Sequence, residues 1–171
     1  MPEQETMERA KHDKEQGKSP STQAGEFVRE EMHHIREGKH GAQSPKQAIA
    51  IGLSKARRAG VDLPAPKRGK ASSKTRTQAM RDTRKGKQSR NRKPSRTRSQ
   101  AISGALRREG HSAASHSSLS RQARSAARRR GSRSRHQAAT KAVRTKGKSG
   151  MRRAPRKAAA TRNRWPGITT R

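Results

Sequence analysis

Residues 44–60 have the sequence SPKQAIAIGLSKARRAG, which contains the strongest local structural signal in the chain. Ser44 can cap the first turn of a helix, Pro45 suits the first helical position, and Gln47 is placed for a capping box. Apolar or small side chains then recur on one helical face, and Gly60 provides a natural C-terminal stop. The segment therefore predicts an amphipathic helix.

A second helix is predicted just upstream, where residues 19–22 offer hydroxyl groups for a cap and Gly38 marks the end. Two antiparallel helices joined by residues 39–43 would form a helical hairpin. The side chains expected at the interface between the helices are Phe27, Val28, Met32, Ile35, Ile49, Ile51 and Leu53.

Ile51 lies off the main apolar stripe of the downstream helix, about 200 degrees round from Ile49 at about 100 degrees per residue. The hairpin is also small for an isolated monomer, because few apolar side chains oppose the entropy cost of ordering it. We therefore expect self-association, or docking of a partner, through this hairpin.

Charge is distributed very unevenly along the chain. Residues 1–66 hold 11 basic and 10 acidic side chains, whereas residues 67–171 hold 34 basic and 2 acidic ones. Only 25% of the residues are hydrophobic, which is too few to order a self-repelling chain of this length. The sequence thus predicts a mostly disordered protein with a small all-α helical hairpin. The expected parts are a flexible charged N-terminus at 1–19, the hairpin at 20–63 and a polycationic, largely disordered tail at 64–171.

A unit made of a Gln-Ala pair, a short basic stretch and a glycine recurs at irregular spacing. Serine or threonine residues that can cap a helix precede several copies, and arginine or lysine residues lie in the last turn of each predicted helix. Further short helices are therefore possible in the tail. The copies run from Gln47 to Gly60, Gln78 to Gly86, Gln100 to Gly110, Gln122 to Gly131 and Gln137 to Gly147.

Such a tail predicts sequence-independent binding of nucleic acid, because cations that meet a phosphate backbone release its condensed counterions. Duplex DNA is favoured over RNA, since single strands are usually held by aromatic stacking and the tail offers only Trp165. The cations expected to contact phosphates are Lys67, Arg68, Lys70, Arg84, Lys85, Arg107, Arg108, Arg128, Arg129, Arg130, Arg152 and Arg153.

Two smaller features of the tail allow more than one interpretation. Residues 66–70 have the sequence PKRGK, which is similar to the core of an AT-hook but lacks its second proline and second arginine. Trp165 could wedge between base pairs, or it could be an exposed residue in a frayed end.

The sequence contains no constellation typical of catalysis, so we expect no enzymatic activity, no cofactor and no metal. Cysteine is absent, and no stretch is long and apolar enough to span a membrane. We expect a cytoplasmic, nucleoid-associated protein. The polar side chains of the first helix and its loop are expected to form a charged surface: Glu26, Glu30, Glu31, His33, His34 and His40.

Residues 47–60, preceded by VREEMHHIREG at 28–38, resemble the signature of a small bacterial family of unknown function over roughly residues 20–63. The resemblance implies a bacterial source, a helical pair and a basic tail of variable length. Its members are at most loosely labelled DNA-binding or plasmid-stabilisation proteins, and no catalytic residues are carried over. In composition, the tail is similar to bacterial histone-H1-like proteins.

Together these observations predict a nucleoid-associated or DNA-protecting accessory protein. Two alternatives remain open at this point. One is an RNA-binding or ribosome-associated basic protein. The other is a protein-interaction module in which the nearly neutral helical head, residues 1–66, is the functional part.

Overall fold

The computed structural model describes residues 2–88 and 95–164, which are helical over most of their length. The chain forms two compact units, Met1–Gln122 and Ala123–Arg171. A short 3₁₀ helix spans Ser112–Ala114. The α-helices are α1 (Gln4–Glu15), α2 (Pro20–Arg36), α3 (Pro45–Arg58), α4 (Ser73–Lys87), α5 (Arg96–Arg107), α6 (His116–Arg129) and α7 (Gly131–Arg164).

The expectation of a mostly disordered chain is wrong, because the part of the chain that the structure describes is an all-α fold with most of its residues in helices. The segment expected to be a flexible N-terminus contains α1, and the tail contains α4 to α7. The hydrophobic fraction of the sequence underestimated order for a physical reason. Alanine, arginine, lysine and glutamine are strong helix formers, so local propensity supports helices that bury little apolar area.

Helices α2 and α3 are the two helices that the pattern predicts. Ser44 caps α3 by accepting a hydrogen bond from the Gln47 backbone N–H at 3.3 Å. The Gln47 side chain reaches back and accepts from the Gln43 N–H at 2.8 Å, one residue before the position that a capping box would use. Gly60 ends the helix in the left-handed region, with a φ of 90°.

The apolar core of the first unit consists of two clusters on the hairpin. One contains Met32, Ile35 and Ala48, and the 3₁₀ helix adds Ala113 and Ala114 to it. The other is built around Phe27, Ala24 and Ala56, with Ala10 from α1 and Val61 from the loop after α3. The hairpin is therefore covered by segments on both sides, which gives it apolar contacts that its own sequence does not supply.

The expected interface side chains have different positions in these clusters. Ile51 is partly buried and belongs to neither cluster. The remaining members lie in the first cluster or against it (Val28, Met32, Ile35 and Ile49) or in the second (Phe27 and Leu53).

Small residues allow the helices of the first unit to approach closely. A Cβ atom added to Gly52 would lie 2.7 Å from Val28 Cα and 3.0 Å from the Phe27 carbonyl oxygen. A Cβ atom added to Gly86 would lie 2.1 Å from the Arg57 carbonyl oxygen. The backbones thus occupy the space of these missing side chains, both between α2 and α3 and between α3 and α4.

Each Gln-Ala pair of the recurring unit lies in a helix, from α3 to α7. Three of the closing glycines, Gly60, Gly131 and Gly147, have φ values of 90°, 73° and 67°. Gly147 interrupts α7, so this element consists of two helical segments separated by one residue in a left-handed conformation. In the part of the chain that the structure describes, no helix is both long and apolar enough to cross a bilayer.

We predict that Gly52→Ala destabilises the first unit by about 1–3 kcal/mol, because the added methyl group overlaps the α2 backbone. Gly25 in α2 is the matched control, since a Cβ atom there meets no other atom within 4 Å. Gly25→Ala should stabilise by about 0.5–1 kcal/mol through helix propensity alone. Urea unfolding followed by circular dichroism checks both signs. Equal stabilities of the two variants would show that α2 and α3 are farther apart than described.

Candidate nucleic-acid interface

The carboxylates of the chain are mostly engaged within the first unit. Asp13 pairs with Lys18 at 2.6 Å, and Glu26 pairs with Arg9 at 2.9 Å. At the N-terminus of α1, Glu3 lies 2.8 Å from His34 Nε2 and 3.2 Å from Lys39 Nζ. Hydrogen bonds from these two side chains lower the pKa of Glu3 from 4.5 to about 2.

Part of the α2 surface that was expected to be exposed is buried. Glu30, Glu31 and His34 are 3%, 1% and 8% exposed, because α1 and α3 both pack against α2. The prediction of a charged surface is therefore wrong for these three side chains. His33 still lies on the surface, where it contacts Glu37 at 2.9 Å.

Lys55 from α3 compensates the two buried carboxylates. Its Nζ lies 2.7 Å from Glu31 Oε2 and 3.2 Å from Glu30 Oε1. Burial disfavours the charged ammonium, but the two carboxylates outweigh this effect and raise the pKa of Lys55. An ion pair of this kind links α2 to α3 and uses two acids that could otherwise neutralise the tail.

One of the two acidic residues in the tail also has a structural role. Asp82 in α4 is 1% exposed and accepts hydrogen bonds from Ser54 at 2.7 Å and from Arg58 at 2.8 Å, both in α3. Gln78 donates a third at 3.1 Å. The carboxylate thus anchors α4, the first helix after Pro64 and Pro66, to the hairpin.

All twelve cations predicted to contact phosphates are exposed. Lys67, Arg68 and Lys70 lie in and beside a turn in which the Lys70 N–H donates to the Lys67 carbonyl oxygen at 3.0 Å. The other nine lie within the helices or next to their C-terminal ends: Arg84 and Lys85 in α4, Arg107 and Arg108 at the end of α5, Arg128 to Arg130 at the end of α6, and Arg152 and Arg153 in α7.

The cations downstream of α4 differ from those of the head in their surroundings. Among the side chains that the structure describes from residue 95 onward, no lysine or arginine lies within 4.0 Å of a carboxylate. Along the described residues, the last cation found in such a pair is Lys87, 3.7 Å from Asp62. The described part of the tail therefore presents positive charge that no ion pair within the chain neutralises.

Helix α6 shows how these cations are arranged. Arg121, Arg124 and Arg128 follow one another at spacings of three and four residues, which places them on one face. Arg121 donates to Ser118 Oγ at 3.3 Å, and Arg129 donates to Ser125 Oγ at 3.0 Å. Serine side chains thus hold two guanidinium groups close to the helix, that of Arg121 in the row and that of Arg129 beside it.

The sequence indicated the exposed cations but not the burial of Asp82, Glu31 and His34. Asp82 was recognisable only as a lone acid in a cationic segment. Glu31 and His34 have the i, i+3 spacing that places two side chains on one helical face, yet nothing local indicates that other helices cover this face. Trp165, for which two interpretations were left open, lies outside the described residues.

Residues 4–68 match the model of a family of unknown function (DUF6496). This match confirms the resemblance to a small family of unknown function and extends it to α1. The matched segment contains α1, α2, α3 and the beginning of the basic turn, whereas α4 to α7 lie beyond it. No curated protein and no solved structure shows significant similarity to the chain.

We predict that Asp82→Ala destabilises the first unit by about 1–3 kcal/mol, because the hydrogen-bonding groups of Ser54 and Gln78 lose their partner. Asp62→Ala removes the same charge from an exposed ion pair and should cost less than about 1 kcal/mol. Thermal unfolding of the two variants checks the difference. A loss of stability as small for Asp82→Ala as for Asp62→Ala would mean that α4 is not anchored by this carboxylate.

Proposed function

We propose that the protein binds nucleic acid without sequence specificity, with duplex DNA preferred over RNA, as a nucleoid-associated or DNA-protecting accessory protein. Residues 67–171 supply the cations for phosphate contact. Residues 1–66, with 11 basic and 10 acidic side chains, contribute little net charge. The proposal places the protein in the cytoplasm, bound to the nucleoid.

The observation that carries the proposal is the separation of paired from unpaired charge. Most carboxylates of α1 to α4 pair with cations of the same helices and their loops, while the described cations from residue 95 onward have no carboxylate partner. Such cations are neutralised by small ions or by an external polyanion. Release of condensed counterions from a nucleic acid favours the second outcome.

The side chains available for contact favour a duplex backbone. Arginine can hydrogen-bond phosphate oxygens through two N–H groups at once, and the row on α6 consists of arginines. The single phenylalanine, Phe27, is 1% exposed and buried in the head, and tyrosine is absent. The described surface thus lacks the aromatic platforms on which single-stranded bases are usually stacked.

We predict that Arg121→Gln, Arg124→Gln and Arg128→Gln, combined in one variant, reduce DNA affinity and its salt dependence. Loss of three phosphate contacts lowers the slope of log affinity against log salt by about 2.7. Fluorescence anisotropy with a labelled duplex, measured over a range of salt concentrations, gives this slope.

The matched control replaces Lys11, Lys14 and Lys46, three exposed cations of the head, by glutamine. It lowers the net charge by the same amount, so a smaller effect of the control assigns binding to the α6 row. Equal effects of the two variants would contradict this assignment. Failure of the unmodified protein to bind any nucleic acid at low salt would disprove the proposed function. The preference for duplex DNA is tested separately, by competition with structured RNA at fixed salt.

A further inference from the structure

Three potential metal ligands from α2 and the following loop converge in the first unit. Glu31, His34 and His40 each place one ligand atom so that all three atoms lie within 4.8 Å of one another. Glu31 and His34 are one turn apart on α2, and His40 is returned toward them after Gly38, whose φ is 76°. The side chains of Glu31, His34 and His40 are 1%, 11% and 16% exposed.

The loop that carries His40 is held in place by backbone hydrogen bonds. The Gly41 N–H donates to the Leu106 carbonyl oxygen at 2.8 Å, and the Ala42 N–H donates to the Gly110 carbonyl oxygen at 3.0 Å. No Cβ atom fits at Gly41, where it would lie 1.9 Å from the Glu109 carbonyl oxygen. The position of the imidazole is thus fixed by the fold.

Both ring nitrogens of His40 face oxygen atoms. Nδ1 lies 3.1 Å from the Gly41 carbonyl oxygen, and Nε2 lies 3.0 Å from Glu31 Oε1. In a neutral imidazole with its single N–H group at Nδ1, the Gly41 carbonyl oxygen accepts the hydrogen bond and the Nε2 lone pair faces the Glu31 carboxylate. A metal ion between Nε2 and the carboxylate binds both groups. It leaves in place the hydrogen bond from Nδ1–H to the backbone carbonyl oxygen, a contact that commonly orients metal-binding histidines.

The second oxygen of Glu31 points to the same conclusion. Among the described residues, Glu31 Oε2 is the buried side-chain atom that lacks a partner with hydrogen-bond geometry, although Lys55 Nζ lies 2.7 Å away. Lys55 also contacts Glu30 at 3.2 Å, so it keeps a carboxylate partner when Glu31 binds another cation.

We propose that Glu31, His34 and His40 form a binding site for a zinc-type divalent ion. Two imidazoles and one carboxylate are a ligand set that zinc accepts, with a fourth position left to water. Zinc ligands at about 2.0–2.2 Å are about 3.3–3.6 Å apart in a tetrahedral site. The 3.0 Å contact between His40 Nε2 and Glu31 Oε1 therefore opens slightly on binding, in a cluster whose ligand atoms already lie within 4.8 Å of one another. The carboxylate of Glu3, 2.8 Å from His34 Nε2, orients the second imidazole. The ion fastens the loop after α2 to that helix.

The experiment is a titration of the full-length, nucleic-acid-free protein with Zn²⁺ in competition with a chromophoric chelator. The unmodified protein is expected to take up one tightly bound ion and to unfold at a higher temperature when zinc is added. His40→Gln and His34→Gln should each weaken binding at least about tenfold, with far-UV circular dichroism to show that the helices persist.

His33→Gln is the matched control, because His33 is the neighbour of His34 on α2 but points to the surface, where it contacts Glu37. It should bind zinc as the unmodified protein does. The proposal is overturned if the unmodified protein takes up no zinc at micromolar concentration, if His40→Gln binds as tightly as the unmodified protein, or if His33→Gln weakens binding as much as His40→Gln. The rise in unfolding temperature of the unmodified protein remains decisive if a variant does not fold.

Discussion

The close approach of α2 and α3 is the constraint on which the first unit depends. Because Gly52 has no side chain, the α3 backbone lies so close to Val28 that a Cβ atom would not fit between them. Ala48 and Ala56, on either side of Gly52 in the sequence, are fully buried. A core built largely from alanine buries little area per residue, so it gains stability only when the backbones are near one another. This proximity also brings Lys55 to the buried carboxylates of α2, so packing and charge compensation arise from one contact.

The same contact explains where the acidic residues of the protein are used. Glu30, Glu31 and Asp82 are buried and neutralised by cations of α3. Two exposed acids of α1, Glu5 and Glu15, pair with cations of the same helix. A protein with a formal charge of +33 thereby uses most of its few carboxylates as internal connections. The excess positive charge begins at the basic turn, and most of it lies beyond α4.

The sequence predicted those features that local chemistry determines. The cap at Ser44, the stop at Gly60 and the apolar positions of α2 and α3 depend on neighbouring residues, and they were found. The cover supplied by α1, α4 and the 3₁₀ helix was missed, since Ala10, Ala79 and Ala113 carry no signal that distinguishes buried from exposed alanine. The order of the tail was missed because composition describes apolar area, whereas the tail helices are supported by propensity and by caps such as Ser72, which accepts from the Thr75 N–H.

The two candidate sites, the arginines of α6 and the cluster of Glu31, His34 and His40, also differ in how far the sequence predicts them. Exposure of Arg121, Arg124 and Arg128 follows from their charge and was predictable in kind. The convergence of Glu31 with His40 was not, because it requires a loop whose path is set by hydrogen bonds to residues 106 and 110, more than sixty positions away. Long-range backbone contacts of this sort leave no periodic pattern in a sequence.

Left-handed glycines at the ends of α6 and of the first segment of α7 give the tail a modular construction. Each is followed by a fresh helical start, so the φ values of Gly131 and Gly147 separate one basic helix from the next. An insertion or deletion of a whole module changes the reach and total charge of the tail without altering the register of the helices on either side. The length of the tail can therefore change by complete modules while the hairpin stays the same.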